Sequence, residues 1–301
     1  MKRKLAYLFA LAVSLLSVLM WPATAWPARG ARLVVDDDKV ECPSAGFAHI
    51  QDAIEAASPG DEIHICKGSY VEQVKIGKPL AIDADNGAIL MPSAMLTVDG
   101  ANNGISQCTP DLIGISFQNA SGALARIAVR NFKLAASLNG CQSGTGIFVQ
   151  SGNRGVSKVE IDDCTVHDFQ KNGITADEKG TTTVIRRNVV TGIGPIFIHG
   201  NNAAIDSNET FATGVFDDIR VQGDQSRVRR NHVLNGAESG IFLSGNNNVV
   251  TDNVITEAAV GILKASGSSG NIITGNRFFN TPVPVEDPQF INLAKLISPK
   301  R

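Results

Sequence analysis

The chain has 301 residues, of which 43% are hydrophobic, 19% charged and 6% aromatic. That balance excludes a disordered tail protein, a collagen-like repeat and a disulfide-dense miniprotein. Two Trp and two Tyr stand against 29 Gly and 22 Asn, which points to many tight turns around thin layers, and the scattered Lys and Arg (formal charge −2) leave no phosphate-binding stripe for a nucleic-acid partner.

The first element is an export signal. Lys2, Arg3 and Lys4 form a basic start, residues 5–20 an apolar run of 16, and Ala23-Thr24-Ala25 an A-x-A cleavage site before Trp26. Sixteen residues fall short of the roughly 20 that a spanning helix needs. Residues 1–25 are therefore predicted to be removed, giving a secreted or periplasmic protein with no membrane span and a net charge of −5 from 24 basic and 29 acidic residues. Export permits disulfides, and the odd set Cys42, Cys66, Cys108, Cys141 and Cys164 leaves one thiol free. No Cys/His spacing suggests zinc, so the set reads as structural.

Next comes a short predicted helix, Ile50-Gln51-Asp52-Ala53-Ile54-Glu55-Ala56-Ala57, followed by Gly68-Ser69-Tyr70-Val71-Glu72. From residue 161 onward the chain repeats itself. Ile185-Arg186-Arg187-Asn188, Ile205-Asp206-Ser207-Asn208, Val228-Arg229-Arg230-Asn231, Val250-Thr251-Asp252-Asn253 and Ile273-Thr274-Gly275-Asn276 place Asn at spacings of 20, 23, 22 and 23, and Cys164 occupies the preceding step. A second series runs in phase: Gly146-Ile147, Gly173-Ile174, Gly240-Ile241 and Gly261-Ile262, with Pro195-Ile196 and Asp218-Ile219 in the remaining registers. A period near 22 made of short alternating strands is too short for a propeller blade and lacks the helices of an α-solenoid. It fits one coil of a parallel β-solenoid, stacked at roughly 4.8 Å. A buried Asn at each turn tolerates unusual φ/ψ and bonds the Asn of the next coil; Asn246 reads as an exposed turn residue.

In these repeats the sequence resembles the right-handed parallel β-helix superfamily, the pectin-lyase-like fold. The resemblance implies an all-β solenoid over residues 26–280, with the helix covering the open end of the first coil and residues 281–301 as a tail. Cys42 and Cys66 flank the helix and are expected to staple it. Cys108 and Cys141 are expected to pair because they sit in polar insertions at 106–111 and 137–144, leaving Cys164 reduced and buried in the Asn column. Gly68 to Glu72 also matches the Gly-x-Tyr-x-Glu of pectin methylesterases, but the Q-D-T-L, D-F-I-F-G and L-G-R-P-W signatures are absent, so Tyr70 and Glu72 read as first-coil structure.

Aligning the Gly-apolar strands gives two inward columns, Ile147/Ile174/Ile196/Ile219/Ile241/Ile262 and Val149/Ala176/Ile198/Val221/Leu243. Two outward columns accompany them: Phe148/Thr175/Phe197/Arg220/Phe242/Leu263 and Gln150/Asp177/His199/Gln222/Ser244. Asp177, His199 and Arg220 are the candidate catalytic group: a base, a group titrating near neutral pH and a fixed positive charge able to hold a uronate carboxylate. Phe148, Phe197 and Phe242, with Gln222, are the candidate substrate-binding residues, the rings offering apolar platforms for a sugar face.

Asp217-Asp218 resembles the paired aspartates of polygalacturonases, without the N-T-D, G-H-G and R-I-K companions. As in pectate lyases, Asp162, Asp163, Asp168, Asp177 and Glu178 are candidates to gather around calcium, the one cofactor considered. Arg186, Asp206 and Arg229 read as a surface salt ladder on another sheet. The expectation is a monomeric exported protein acting on or binding a polysaccharide or oligosaccharide, as a lyase-, epimerase- or hydrolase-like enzyme. The alternative is a non-catalytic glycan-binding or periplasmic accessory protein resembling NosD-like chains.

Overall fold

The computed structural model describes residues 30–93, 112–133, 144–152, 155–214 and 216–287. The expected signal at 1–25, the expected Cys108–Cys141 pair and residues 288–301 lie outside them. Each coil lays down one strand in each of three sheets. Thr181–Arg186 belongs to the first (sheet A), Val189–Gly192 to the second (sheet B) and Gly194–Ile198 to the third (sheet C), after which Ala204–Asp206 returns to sheet A. Among the described residues the sheets hold ten, nine and nine strands, and neighbours pair in parallel. Backbone bonds therefore run along the solenoid axis, and the inward side chains fill a narrow core. The sheet C register matches the sequence alignment strand by strand, Ile147↔Ile174↔Ile196↔Ile219↔Ile241↔Ile262, with these isoleucines almost wholly buried.

The corner between sheets A and B is the most regular feature. Asp163, Arg187, Ser207, Arg230, Asp252 and Gly275 have φ between 54° and 68°, and each directly precedes Cys164 or one of the repeated Asn. The left-handed residue is thus the one before the Asn, which corrects the expectation that the Asn itself adopts it. Its turn aims the next side chain into the core. Asn188, Asn208 and Asn231 each donate Nδ2–H to Oδ1 of the Asn one coil on, at 2.9–3.0 Å, and to a main-chain carbonyl of the previous coil. The same Oδ1 also accepts the backbone N–H of the preceding Asn. Each amide is fully satisfied without water, which is the condition for burying it. Cys164 begins the column: its backbone N–H donates to Asn188 Oδ1 at 2.8 Å, and its thiol is free, buried and pushed up to about 12 by that burial.

A second pair of ladders lines the corner between sheets C and A. Asp224, Asn246 and Ser269 donate their N–H groups to Asn201, Asp224 and Asn246 side chains, and Ala203, Ser226 and Asn248 to those of Ser226, Asn248 and Asn271. Asn246 is therefore a rung rather than a free turn residue.

At the entry end the helix is Ile50–Ala56, with Ile50, Ala53 and Ile54 buried against the first coil. The Glu72 carboxylate accepts the N–H groups of Ile50 and Gln51 at 2.8 and 2.9 Å, supplying the helix start that His49 does not cap. Burial raises the Glu72 carboxyl above its ordinary range. Tyr70 is buried and donates its hydroxyl to the Cys66 carbonyl at 2.8 Å. Both residues of the Gly-x-Tyr-x-Glu motif thus serve the cap. The Cys42–Cys66 disulfide ties the segment before the helix to the end of strand Glu62–Ile65. At the far end Val283–Glu286 pairs with Val260–Lys264. The solenoid therefore runs past residue 280, and this part of the expected tail extends sheet C.

One coil departs from the pattern inside the core. Gly146, Gly173 and Gly240 are the second residues of their sheet C strands, where an added Cβ would come within 2.3–2.6 Å of Val166, Val190 and Ile255 side chains, so the repeated Gly is a packing requirement. At the equivalent register Asp218 is completely buried, and Thr210 stands in the column of Val166, Val190, Val233 and Ile255. The Asp218 carboxyl lies beside the Thr210 hydroxyl and the Ala212 amide without a hydrogen bond of normal geometry to either. Burial, assisted by the neighbouring Asp217 charge, pushes it up to about 8.

Two outcomes follow for stability. Asn231→Ala should lower it by about 1–3 kcal/mol by stranding the Asn208 and Asn253 groups, whereas Lys158→Ala, outward on sheet A, should leave the melt unchanged within error; equal melts for the two variants would contradict the ladder. Asp218 retains its proton in the folded state while the unfolded chain loses its own near pH 4, so stability should fall as pH rises between about 4 and 8, approaching 1.4 kcal/mol per unit. Asp218→Asn should remove that slope, read as a melting-temperature advantage over wild type that grows from pH 5 to pH 8.

Candidate functional site

Because strand side chains alternate, the outward residues of successive sheet C strands fall into two columns, with equivalent positions one coil apart. Phe148, Thr175, Phe197, Arg220, Phe242 and Leu263 are consecutive in register, so the Phe rings recur on alternate coils. Gln150 lies beside Asp177, and His199 follows one coil later.

The expected trio separates into two clusters on this face. Asp177 and His199 come together: His199 Nδ1 and Asp177 Oδ1 are 2.8 Å apart, and both side chains are partly exposed. Asp177 Oδ1 also accepts the N–H of Glu178 at 2.8 Å. Glu178, in the left-handed region, is in turn held by Gln150 Nε2 and Ser151 Oγ, both at 3.0 Å. The carboxylate thus orients the imidazole, and the remaining ring nitrogen, Nε2, can meet a ligand. Gln222 sits one coil further on, its N–H bonded to the Ile198 carbonyl.

Arg220 does not join them. Its Nε donates to Asp217 Oδ2 at 2.8 Å and a terminal nitrogen lies 2.7 Å from the same oxygen. The guanidinium stacks over Phe242, 4.7 Å from the ring centroid, with Glu238 3.6 Å away. Asp217 explains the choice. Its carboxylate has no exposed surface, and a buried charge needs a counter-charge and hydrogen bonds, supplied by Arg220 and by the Ser239 hydroxyl at 2.5 Å. Three residues along the chain, Arg220 is the group in reach.

A groove of about 350 Å³ opens at this end of the strands, at the corner with sheet B. Phe197 and Phe216 form its apolar walls, and Lys171, Asn172 and Arg220 its polar lining. Phe148 and Phe242 flank it along the column without lining it. Sequence reading missed Phe216, Lys171 and Glu238, because they come from corners whose length varies between coils. The five acids considered for calcium are spread over three corners. Asp162 and Asp163 pair with Arg186 and Arg187, Asp168 with Lys133 and His167, and Asp177 and Glu178 belong to the His199 cluster. On sheet A, Arg186, Asp206 and Arg229 are in register, and Asp206 binds both Arg229 and Arg230.

Several solved structures share this architecture. An alginate lyase from a Paenibacillus species superposes with a TM-score of 0.60 at 11% identity, covering 86% of this chain and 98% of its own. The pectin methylesterase PemA from Erwinia chrysanthemi gives 0.52 at 13%, with 84% and 93% covered, and that of Aspergillus niger 0.51 at 12%, with 87% and 88%. Identities this low establish a common fold and no more. No curated protein matches in sequence. No helix among the described residues is long and apolar enough to cross a membrane. The model for the right handed beta helix region matches residues 113–278, more than half of the chain, and the protein belongs to that family.

Proposed function

We propose that the outer face of sheet C binds an acidic oligosaccharide, with its sugar faces on Phe197 and Phe216 and a carboxylate drawn to Arg220 and Lys171. The observation that carries this reading is the groove itself, where two aromatic walls and two cations meet at one corner. Aromatic faces suit the apolar side of a sugar ring and guanidinium suits a carboxylate. Further along the same face, the Asp177–His199 pair supplies an oriented imidazole able to remove a proton or pass one to a leaving group, the chemistry of a lyase, epimerase or hydrolase. The polysaccharide-acting neighbours make such a ligand a natural one for this fold. The commitment of Arg220 to Asp217 favours a second reading, glycan binding without turnover, since the charge is then placed for recognition and not beside the imidazole.

The decisive experiment combines binding and turnover on uronate polymers, at several pH values, with and without calcium. Phe197→Ala should weaken binding roughly tenfold, the loss of about 1.4 kcal/mol of aromatic contact. His199→Ala and Asp177→Asn should abolish turnover with the melt unchanged, while Asp162→Asn on sheet A should be silent. Binding lost only in the Phe197 variant, with no turnover in wild type, selects the second reading; no binding to any acidic glycan would overturn both.

We further propose, from the basic start, apolar run and A-x-A site of residues 2–25, that the protein is a secreted or periplasmic monomer. The mass and N-terminal sequence of protein recovered from the exporting cell should begin at Trp26; an intact Met1 would contradict it.

A further inference from the structure

Away from sheet C, the first coil gathers a second set of chemistry-bearing groups. A ring nitrogen of His64, a carboxylate oxygen of Asp85 and the sulfurs of Cys42 and Cys66 all lie within 4.8 Å of one another. His64 points outward from strand Glu62–Ile65, Cys66 follows that strand directly, and Asp85 follows strand Leu80–Ala84, the next in sheet A. His64 Nε2 faces Asp85 Oδ1 at 3.5 Å. Its Nδ1 is buried without a hydrogen-bond partner, 3.8 Å from Oδ2 of Asp83, its register neighbour. Asp83 is itself ion-paired with Arg126. An unsatisfied ring nitrogen held beside a carboxylate, with the opposite nitrogen turned to a second carboxylate and two sulfurs close to the ring, has the layout of a metal-ligating histidine and its orienting partner.

We propose that reduction of the Cys42–Cys66 disulfide turns this cluster into a tetrahedral zinc site, with Cys42 Sγ, Cys66 Sγ, His64 Nε2 and Asp85 as ligands and Asp83 accepting the Nδ1 hydrogen. A disulfide sulfur is a poor ligand, whereas two thiolates, an imidazole and a carboxylate form a donor set that zinc accepts. A dithiol is the reductant. It attacks through the half-buried Cys42, its two sulfurs end as a disulfide of their own, and Cys42 and Cys66 each gain one electron and one proton. Metal uptake then releases the two thiol protons to solvent. The cap over the first coil is thereby held by a covalent bond under oxidising conditions and by a metal under reducing ones, with the same cysteines serving both.

The test titrates cobalt(II), then zinc, into the full mature protein before and after treatment with a dithiol and its removal under anaerobic conditions. Reduced wild type should take up one equivalent of cobalt with a thiolate-to-metal charge-transfer band that zinc abolishes, and oxidised protein should show neither. His64→Ala and Asp85→Asn should each weaken binding at least tenfold, and Asp83→Asn about tenfold through lost orientation. Zinc should also slow re-formation of the disulfide in air. Circular dichroism guards against a trivial failure: reduced protein that unfolds and refolds around zinc supports the site, and reduced protein that stays unfolded with zinc overturns it. A folded, reduced protein without the band, or His64 and Asp85 variants that bind as wild type does, would equally overturn it.

Discussion

A parallel solenoid depends on repeating one corner. Its backbone bonds run between coils, so a single coil that turned at a different residue would shift every later strand by one register and send its apolar side chains outward. In this protein that constraint is met by a left-handed residue followed by a buried Asn, whose amide bonds the coils on both sides. The ladder is cooperative in a literal sense: each Oδ1 serves the Nδ2–H and the backbone N–H of its neighbour, so removal of one amide leaves two donors of the preceding Asn without partners.

The functional face inherits its order from that corner. With register locked, outward residues of successive coils fall into straight columns, and chemistry arises where those columns carry complementary groups. Asp177 and His199 meet because they occupy equivalent positions one coil apart. Arg220 illustrates the competing rule. Its column places it among the Phe rings, but the fully buried Asp217 carboxylate requires a partner, and that demand sets the rotamer. Beneath it, Asp218 and Thr210 replace Gly and Val in the same coil, so one of the coils that line the groove also carries a buried polar pair in its core.

The repeat was legible in the sequence because period and residue type coincide. Asn recurs near every 22 residues, and Gly-Ile marks sheet C in phase with it, so the inward and outward columns from Ile147 to Leu263 could be aligned without a structure. The second ladders escaped notice because their rungs change type, from Asn201 to Asp224 to Asn246, while the acceptor function stays the same. The rotamer of Arg220 was hidden for a different reason: nothing in the string Asp217-Asp218-Ile219-Arg220 tells that Asp217 loses all contact with water. His64, Cys66 and Asp85 likewise lack a recognisable ligand spacing, since the coil, and not a turn or helix, brings them together.

The central claim is that stacked amides, acting as coupled neighbours, fix the corner on which register and site depend. A double-mutant cycle on Asn208 and Asn231 tests it most directly. Since either single substitution already breaks the bond between them, the double variant should cost at least about 0.5 kcal/mol less than the two singles together, whereas Asn188 with Asn276, separated by three intervening rungs, should be additive. Additive costs for Asn208 and Asn231 would show that the amides stabilise their corners independently and would contradict the account.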